Sequence, residues 1–133
     1  MTTFTDAVLA GDIDAIEAML ADDVVFTSPV AFRPYQGRAM TAAILAGVVR
    51  VFEDFRYVRE IHDGPHHAYE FEATVNGLEI NGCDFLTCDD DGKILDFKVM
   101  VRPLRAAEAL AERMGAQFED IKADAVARSK AGA

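Results

Sequence analysis

Leu78-Glu79-Ile80-Asn81-Gly82-Cys83-Asp84-Phe85-Leu86-Thr87-Cys88 reads as one β-strand, and its alternation decides the fold. Counting by twos puts Leu78, Ile80, Gly82, Asp84 and Leu86 on one face, with Glu79, Asn81 and Thr87 on the other. The first face is apolar apart from Asp84. An ionised carboxylate without a partner on such a face costs several kcal/mol. Asp84 is therefore either protonated, with a raised pKa, or hydrogen-bonded to a donor inside a cavity.

Working outward, Asn76-Gly77 precedes this strand and Asp89-Asp90-Asp91-Gly92 follows it. Both are turn chemistry, so the neighbouring period-two stretches, His66 to Asn76 and Lys93 to Arg102, should pair with it antiparallel. Asp63-Gly64-Pro65 joins a further strand, Asp54 to His62, to the same meander. In the last strand Phe97, Val99 and Val101 face one way. Asp96, Lys98, Met100 and Arg102 face the other, a mixed surface that suits a partner subunit.

Before the meander, Met40, Ile44, Val48 and Val51 form one face of a helix from about Arg38 to Phe52, long enough to lie across a sheet. Nearer the start, two short helices meet at Ala10-Gly11, with Asp12 placed to cap the second. The run Val24-Val25-Phe26-Thr27 is a strand stopped at Ser28-Pro29. After Pro103 the chain turns helical again, with Leu104, Ala107, Leu110 and Met114 in a stripe. Gly115 supplies a joint, and a second piece from Ala116 to Arg128 carries Phe118 and Ile121. The last five residues, from Ser129, should fray. The sum is an α+β domain: a cone-shaped, curved antiparallel sheet packed on N-terminal helices and one long helix. Residues 1–103 form the pocket domain, and 104–133 form a helical extension of it. The extension should act as a lid or clamp over this pocket or the partner's, its second piece held only marginally.

A length of 133 residues, with 51% hydrophobic and 27% charged, fits one globular domain. No apolar run approaches the roughly 20 residues of a membrane span. The net charge of −10 opposes phosphate backbones and anionic lipid, so neither nucleic acid nor membrane is an expected partner. Cys83 and Cys88 fall on opposite strand faces and read as free thiols. The first residues carry no basic segment leading into an apolar run, which points to the cytoplasm.

Among the remaining chemistry-bearing residues, His62, His66 and His67 crowd one hairpin. Adjacent histidines on a strand point to opposite faces, so no metal site is expected there. His67 shares a face with Tyr69 and Phe71 and reaches toward the cavity rim. Arg33, Tyr35 and Arg38 flank the irregular segment after the first strand, and Tyr57, Arg59 and Ile61 are further wall candidates.

Gly11-Asp12-Ile13-Asp14, Ala21-Asp22-Asp23-Val24, Ser28-Pro29-Val30, Gly37-Arg38 and Asp91-Gly92-Lys93, in that order and spacing, resemble the nuclear transport factor 2-like superfamily. The likeness is to its ketosteroid isomerase and SnoaL-like polyketide cyclase branches. It covers about residues 4 to 103 and implies the cone, or cystatin-like, fold. Ketosteroid isomerases place a general-base Asp where this chain has Ser28 and an oxyanion-stabilising Tyr where it has Phe4. The neutral Asp of that family corresponds to Asp84. One of three functional groups is kept, which argues against steroid isomerisation because proton transfer needs a base in reach of the substrate carbon.

The expectation is a small hydrophobic ligand in a pocket formed by Phe4, Ser28, Tyr35, Ile44, Val48, His67, Phe71, Leu86, Phe97, Val99 and Val101. Asp84 is its acid/base or hydrogen-bond donor. Any reaction would be a cofactor-free isomerisation, cyclisation or lyase step of the SnoaL-like kind. The competing reading is a noncatalytic dimerisation or scaffolding module with a filled interior. A homodimer through the outer sheet face is expected on either.

Overall fold

The computed structural model describes residues 3–131. Helix α1 (Phe4–Ala10) begins at a capping box between Thr3 and Asp6 and ends at Gly11, whose φ of 66° is the left-handed conformation a helix end requires. Helix α2 (Ile13–Met19) is capped by the Asp12 carboxylate, which accepts from the Ala15 amide at 3.1 Å. Strand β1 (Leu20–Thr27), a two-residue strand β2 (Tyr35–Gln36) and helix α3 (Arg38–Val51) follow. Four long strands come next: β3 (Glu53–Asp63), β4 (His66–Val75), β5 (Leu78–Cys88) and β6 (Ile94–Arg102). Helices α4 (Leu104–Ala116) and α5 (Phe118–Ala131) complete the described chain.

The strands form one open six-stranded sheet in the order β2-β1-β6-β5-β4-β3. From β3 to β6 it is the antiparallel meander expected, and the β4–β5 turn carries positive φ at both Asn76 and Gly77. Turn residues and alternation do not place the first strand in the sheet. It lies parallel to β6, with Phe26 opposite Phe97, so the sheet is mixed. This is the α+β architecture anticipated, with β1 closing the side of the cup that the meander leaves open.

Register shifts in β3, between Glu53 and Arg56 and again between Tyr57 and Arg59, increase its twist and curl the sheet. The second shift sets which side chains face inward. Phe55 and Tyr57 point into the concave side, whereas Arg59 turns to the outer face and pairs there with Glu70 at 2.9 Å. Arg59 and Ile61 are thus removed from the wall, a correction that strict alternation along the strand could not supply.

Two buried clusters fill the concave side. The larger joins Phe4, Leu20, Phe26, Ile44, Tyr69, Leu86, Phe97 and Ile121. The smaller joins Val51, Ala73, Val75, Ile80, Ala106 and Leu110. Ile121 is fully buried, so α5 belongs to the core and is not a marginally held cover. Gly47 makes this docking close: a Cβ there would lie 2.9 Å from Ile121 Cδ1. The Gln117 amide donates to the Gly47 carbonyl at 2.8 Å, and Arg50 donates to Gln117 Oε1 at 2.9 Å. At its far end, α5 is tied to α2 by Arg128, which bonds Glu17 at 2.7 Å and Asp124 at 3.1 Å. The break between the helices falls at Gln117, since Gly115 lies inside α4. Ser129 and Lys130, expected to fray, are helical; the final two residues lie outside the described chain. No helix among the described residues is long and apolar enough to cross a membrane.

Gly82 is the other close approach. A Cβ at this position would sit 2.8 Å from Phe71 Cε2 and 2.9 Å from the Met100 carbonyl oxygen. Because one of those neighbours is backbone, Gly82→Ala should cost about 1–3 kcal/mol. Urea denaturation should show this as a lower midpoint; an unchanged midpoint would mean that Phe71 moves aside freely.

Candidate functional site

The sheet is curved and the helices that cover it are straight, and between them lies a cavity of about 280 Å³. Its floor is Phe71, Asp84, Phe97 and Val99 from the sheet. Its walls are Phe4 and Val8 of α1, Ile44 and Val48 of α3, and Leu110 and Met114 of α4. Ser28, Pro29, Val30, Ala31 and Tyr35 contribute one side, and Phe118 and Ile121 of α5 another. The lining is apolar apart from Ser28, Tyr35 and Asp84.

Of the residues expected to form the pocket, Phe4, Ser28, Tyr35, Ile44, Val48, Phe71, Phe97 and Val99 are brought together with Asp84. Three are not. His67 sits nearer the hairpin end, its ring 6.3 Å from that of Tyr69, and Tyr69 packs on Phe4 at 5.1 Å, which shuts the histidine away from the cavity. Its Nδ1 instead lies 2.7 Å from His62 Nδ1. Burial and the neighbouring His62 and His66 lower its pKa. Leu86 is opposite Phe97 and is consumed in the core. Val101 is opposite Gly82, where the Phe71 ring occupies the missing side chain's space, and it packs into the second cluster. Alternation assigns a face correctly in all three cases but not a depth along it.

Asp84 is 8% exposed and forms its strand without a bulge at Gly82, with Tyr69 opposite on β4 and Val99 opposite on β6. Burial pushes its carboxyl up to about 7. A group titrating there can give or take a proton near neutrality, which an ordinary aspartate cannot. Ser28, by contrast, is engaged locally: its Oγ accepts the Val30 amide at 3.2 Å and pins the turn after β1. Phe4 presents only a ring, tilted against Tyr69 and edge-on to Phe97.

The residues the sequence underrated are aromatic. Phe52 and Phe55 line the cavity; Phe52 meets Phe71 at a tilt at 5.5 Å, and Phe55 stacks on it at 5.1 Å. Phe52 caps the end of α3, and the first β3 bulge, between Glu53 and Arg56, spans the inward Phe55; nothing in a period-two count shows a bulge. Met114, Phe118 and Ile121 were recognised as an apolar stripe in search of a surface, and that surface is the cavity's own end.

A cupped sheet closed by helices, with one buried carboxyl against an apolar void, is the architecture of an α+β cone fold. The chain belongs to the SnoaL-like domain family, whose model matches residues 1–97. A steroid delta-isomerase from Pseudomonas aeruginosa is 39% identical, with a TM-score of 0.85 over 90% of this chain and 89% of that one. A protein conserved in bacteria with a cystatin-like fold, from Silicibacter pomeroyi, is also 39% identical, with a TM-score of 0.80 over 83% and 78%. A nuclear transport factor 2-like protein from Mesorhizobium loti shares the fold at 16% identity, with a TM-score of 0.66 over 75% and 85%. No match is found among curated proteins.

The raised carboxyl has a consequence for stability. Between the ordinary Asp value of 3.8 and about 7, the folded chain keeps a proton on Asp84 that the unfolded chain has lost. Stability therefore falls as pH rises through that window and is unaffected by this group below it. Asp84→Asn should be more stable than the parent at pH 8 by on the order of 3 kcal/mol, with the difference closing toward pH 4. Urea titrations at the two pH values check this, and a constant difference would show that Asp84 has an ordinary pKa.

Proposed function

We propose that this chain binds a small hydrophobic molecule in the cavity and that Asp84 acts on it as a cofactor-free acid/base, in an isomerase- or cyclase-type reaction. The observation that carries the reading is a carboxyl pushed up to about 7 by burial, facing an apolar void of about 280 Å³. A void of this size is at the lower end of ligand pockets. The steroid delta-isomerase at 39% identity supports the same class of chemistry. Ser28 and Phe4 stand where ketosteroid isomerases place their base and their phenol, so any proton transfer here falls to Asp84 rather than to that pair of groups. A filled scaffold is the weaker reading, because the interior retains room.

The test is occupancy. An uncharged hydrophobic fluorophore should bind the native protein, and Val48→Trp, which fills the void from α3, should weaken binding at least tenfold while far-ultraviolet circular dichroism is unchanged. Equal binding by the two proteins would remove the cavity as the site.

We also propose that the outer sheet face pairs with a second copy. Ile61, Phe85 and Met100 are 55%, 43% and 55% exposed and surround a shallow depression on that face. Arg59, Glu70 and Arg102 line it with charge, and Lys98 is paired opposite Phe85, which suits a polar rim. Sedimentation at micromolar concentration should give twice the 14.5 kDa chain mass, and Met100→Glu should return it to one. A single 14.5 kDa species for the native chain would exclude the dimer.

A further inference from the structure

Tyr57 carries the one buried side-chain polar atom without a hydrogen-bond partner among the described residues, its hydroxyl oxygen. Its position is unusual for a β3 residue. It lies between the two register shifts of the strand and faces inward, where its ring meets Phe55 edge-on at 5.1 Å and Tyr69 at 6.0 Å. Phe55 lines the cavity, and Tyr69 is the residue directly opposite Asp84. Tyr57 is thus two strands from Asp84 on the same concave face. In register Tyr57 is opposite Phe71 and Phe71 is opposite Gly82, so Asp84 lies two residues further along β5; two strand spacings of about 4.8 Å and two rises of about 3.4 Å put the backbones about 12 Å apart on the diagonal, which the phenol and the carboxyl can span by leaning toward each other over the concave face.

A buried hydroxyl donor with no acceptor is an incomplete arrangement, because such groups are nearly always satisfied. The Asp84 carboxyl is the complementary case: no protein donor reaches it, and burial alone holds it neutral. We propose that Tyr57 is the positioning residue for Asp84, donating its phenolic hydrogen to the carboxylate once Asp84 has passed its proton to a ligand or to solvent. In the protonated state the acid needs no charged-state donor, and the hydroxyl waits unpaired. In the ionised state the bond is charge-assisted and about twice as strong as a neutral one.

The inference rests on Asp84 being the acid/base of the proposed function, and it adds a distinction. Burial alone sets where the carboxyl changes state but offers its anion no partner. With a donor held ready for its anion, it can cycle between two states. The other titratable groups facing the pair are Tyr69 on β4, Glu60 on β3 and Cys88 on β5. Tyr35 of β2 also lines the cavity. On β6 and α1 the neighbours are Val99 and Phe4, and the lining residues of α3, α4 and α5 do not ionise. Burial, with the charge of Asp84 next in order, keeps the Tyr57 phenol protonated, so it is a donor throughout the neutral range.

Carboxyl-resolved NMR titration of the full chain, with no ligand present, tests this independently of whether the cavity binds anything. In Tyr57→Phe the Asp84 midpoint should move up by about one pH unit, a tenfold change in its ionisation equilibrium. Tyr69→Phe, which removes the neighbouring phenol, should leave the midpoint in place. In the native protein the Tyr57 ring-carbon resonance next to oxygen should step at the Asp84 midpoint, and in Asp84→Asn it should be flat. An unmoved midpoint in Tyr57→Phe, or an equal movement in Tyr69→Phe, overturns the proposal. If Tyr57→Phe does not fold, a native Tyr57 resonance with no step overturns it alone.

Discussion

The structure depends on covering a curved surface with straight rods. An open six-stranded sheet must bury its concave face, and the bulges of β3 deepen that face beyond what α3 alone can fill. Five helices are disposed around the rim and across the top, and side chains of Phe, Ile and Leu reach down from them. Close packing is reached in two clusters but not at the centre, where the cavity remains. The void follows from the geometry of the layers, and the chemistry of the site follows from which residue of β5 happens to floor it.

That residue is a carboxyl, and its setting inverts the usual order of electrostatic terms. The chain carries a formal charge of −10, yet surface charge scarcely reaches Asp84, whose displacement comes from desolvation. Surface pairs such as Arg38 with Asp22 are screened and contribute little. Arg128, with its side chain 18% exposed and bonded to Glu17 and Asp124, is the ion cluster positioned to matter, and it acts on the helix that forms the cavity's end.

How far the sequence foretold this differs by length scale. The meander from β3 to β6, α3 and the inward face of Asp84 were all legible, because turn residues and period-two alternation are local signals. The parallel pairing of β1 with β6 was not, since a parallel contact between distant segments leaves no turn between them to read. His67, Leu86 and Val101 were assigned to the cavity because they share its face; Tyr69, the Phe97 contact and the Phe71 ring over Gly82 decide otherwise, and those are facts of packing. The Gly47 approach of Ile121 is of the same kind. A glycine in the middle of a good helix is a weak cue until the partner helix is known.

The placement of α5 also sets an order of events during synthesis. Every other wall of the cavity is encoded before residue 117, whereas the helix carrying Phe118 and Ile121 is made after them. A nascent chain emerging at roughly 5–20 residues per second therefore exposes an apolar cup, with Phe26, Phe71 and Phe97 at its floor, until α5 leaves the ribosome. During that interval the same apolar surface is open to chaperones or to other unfinished chains.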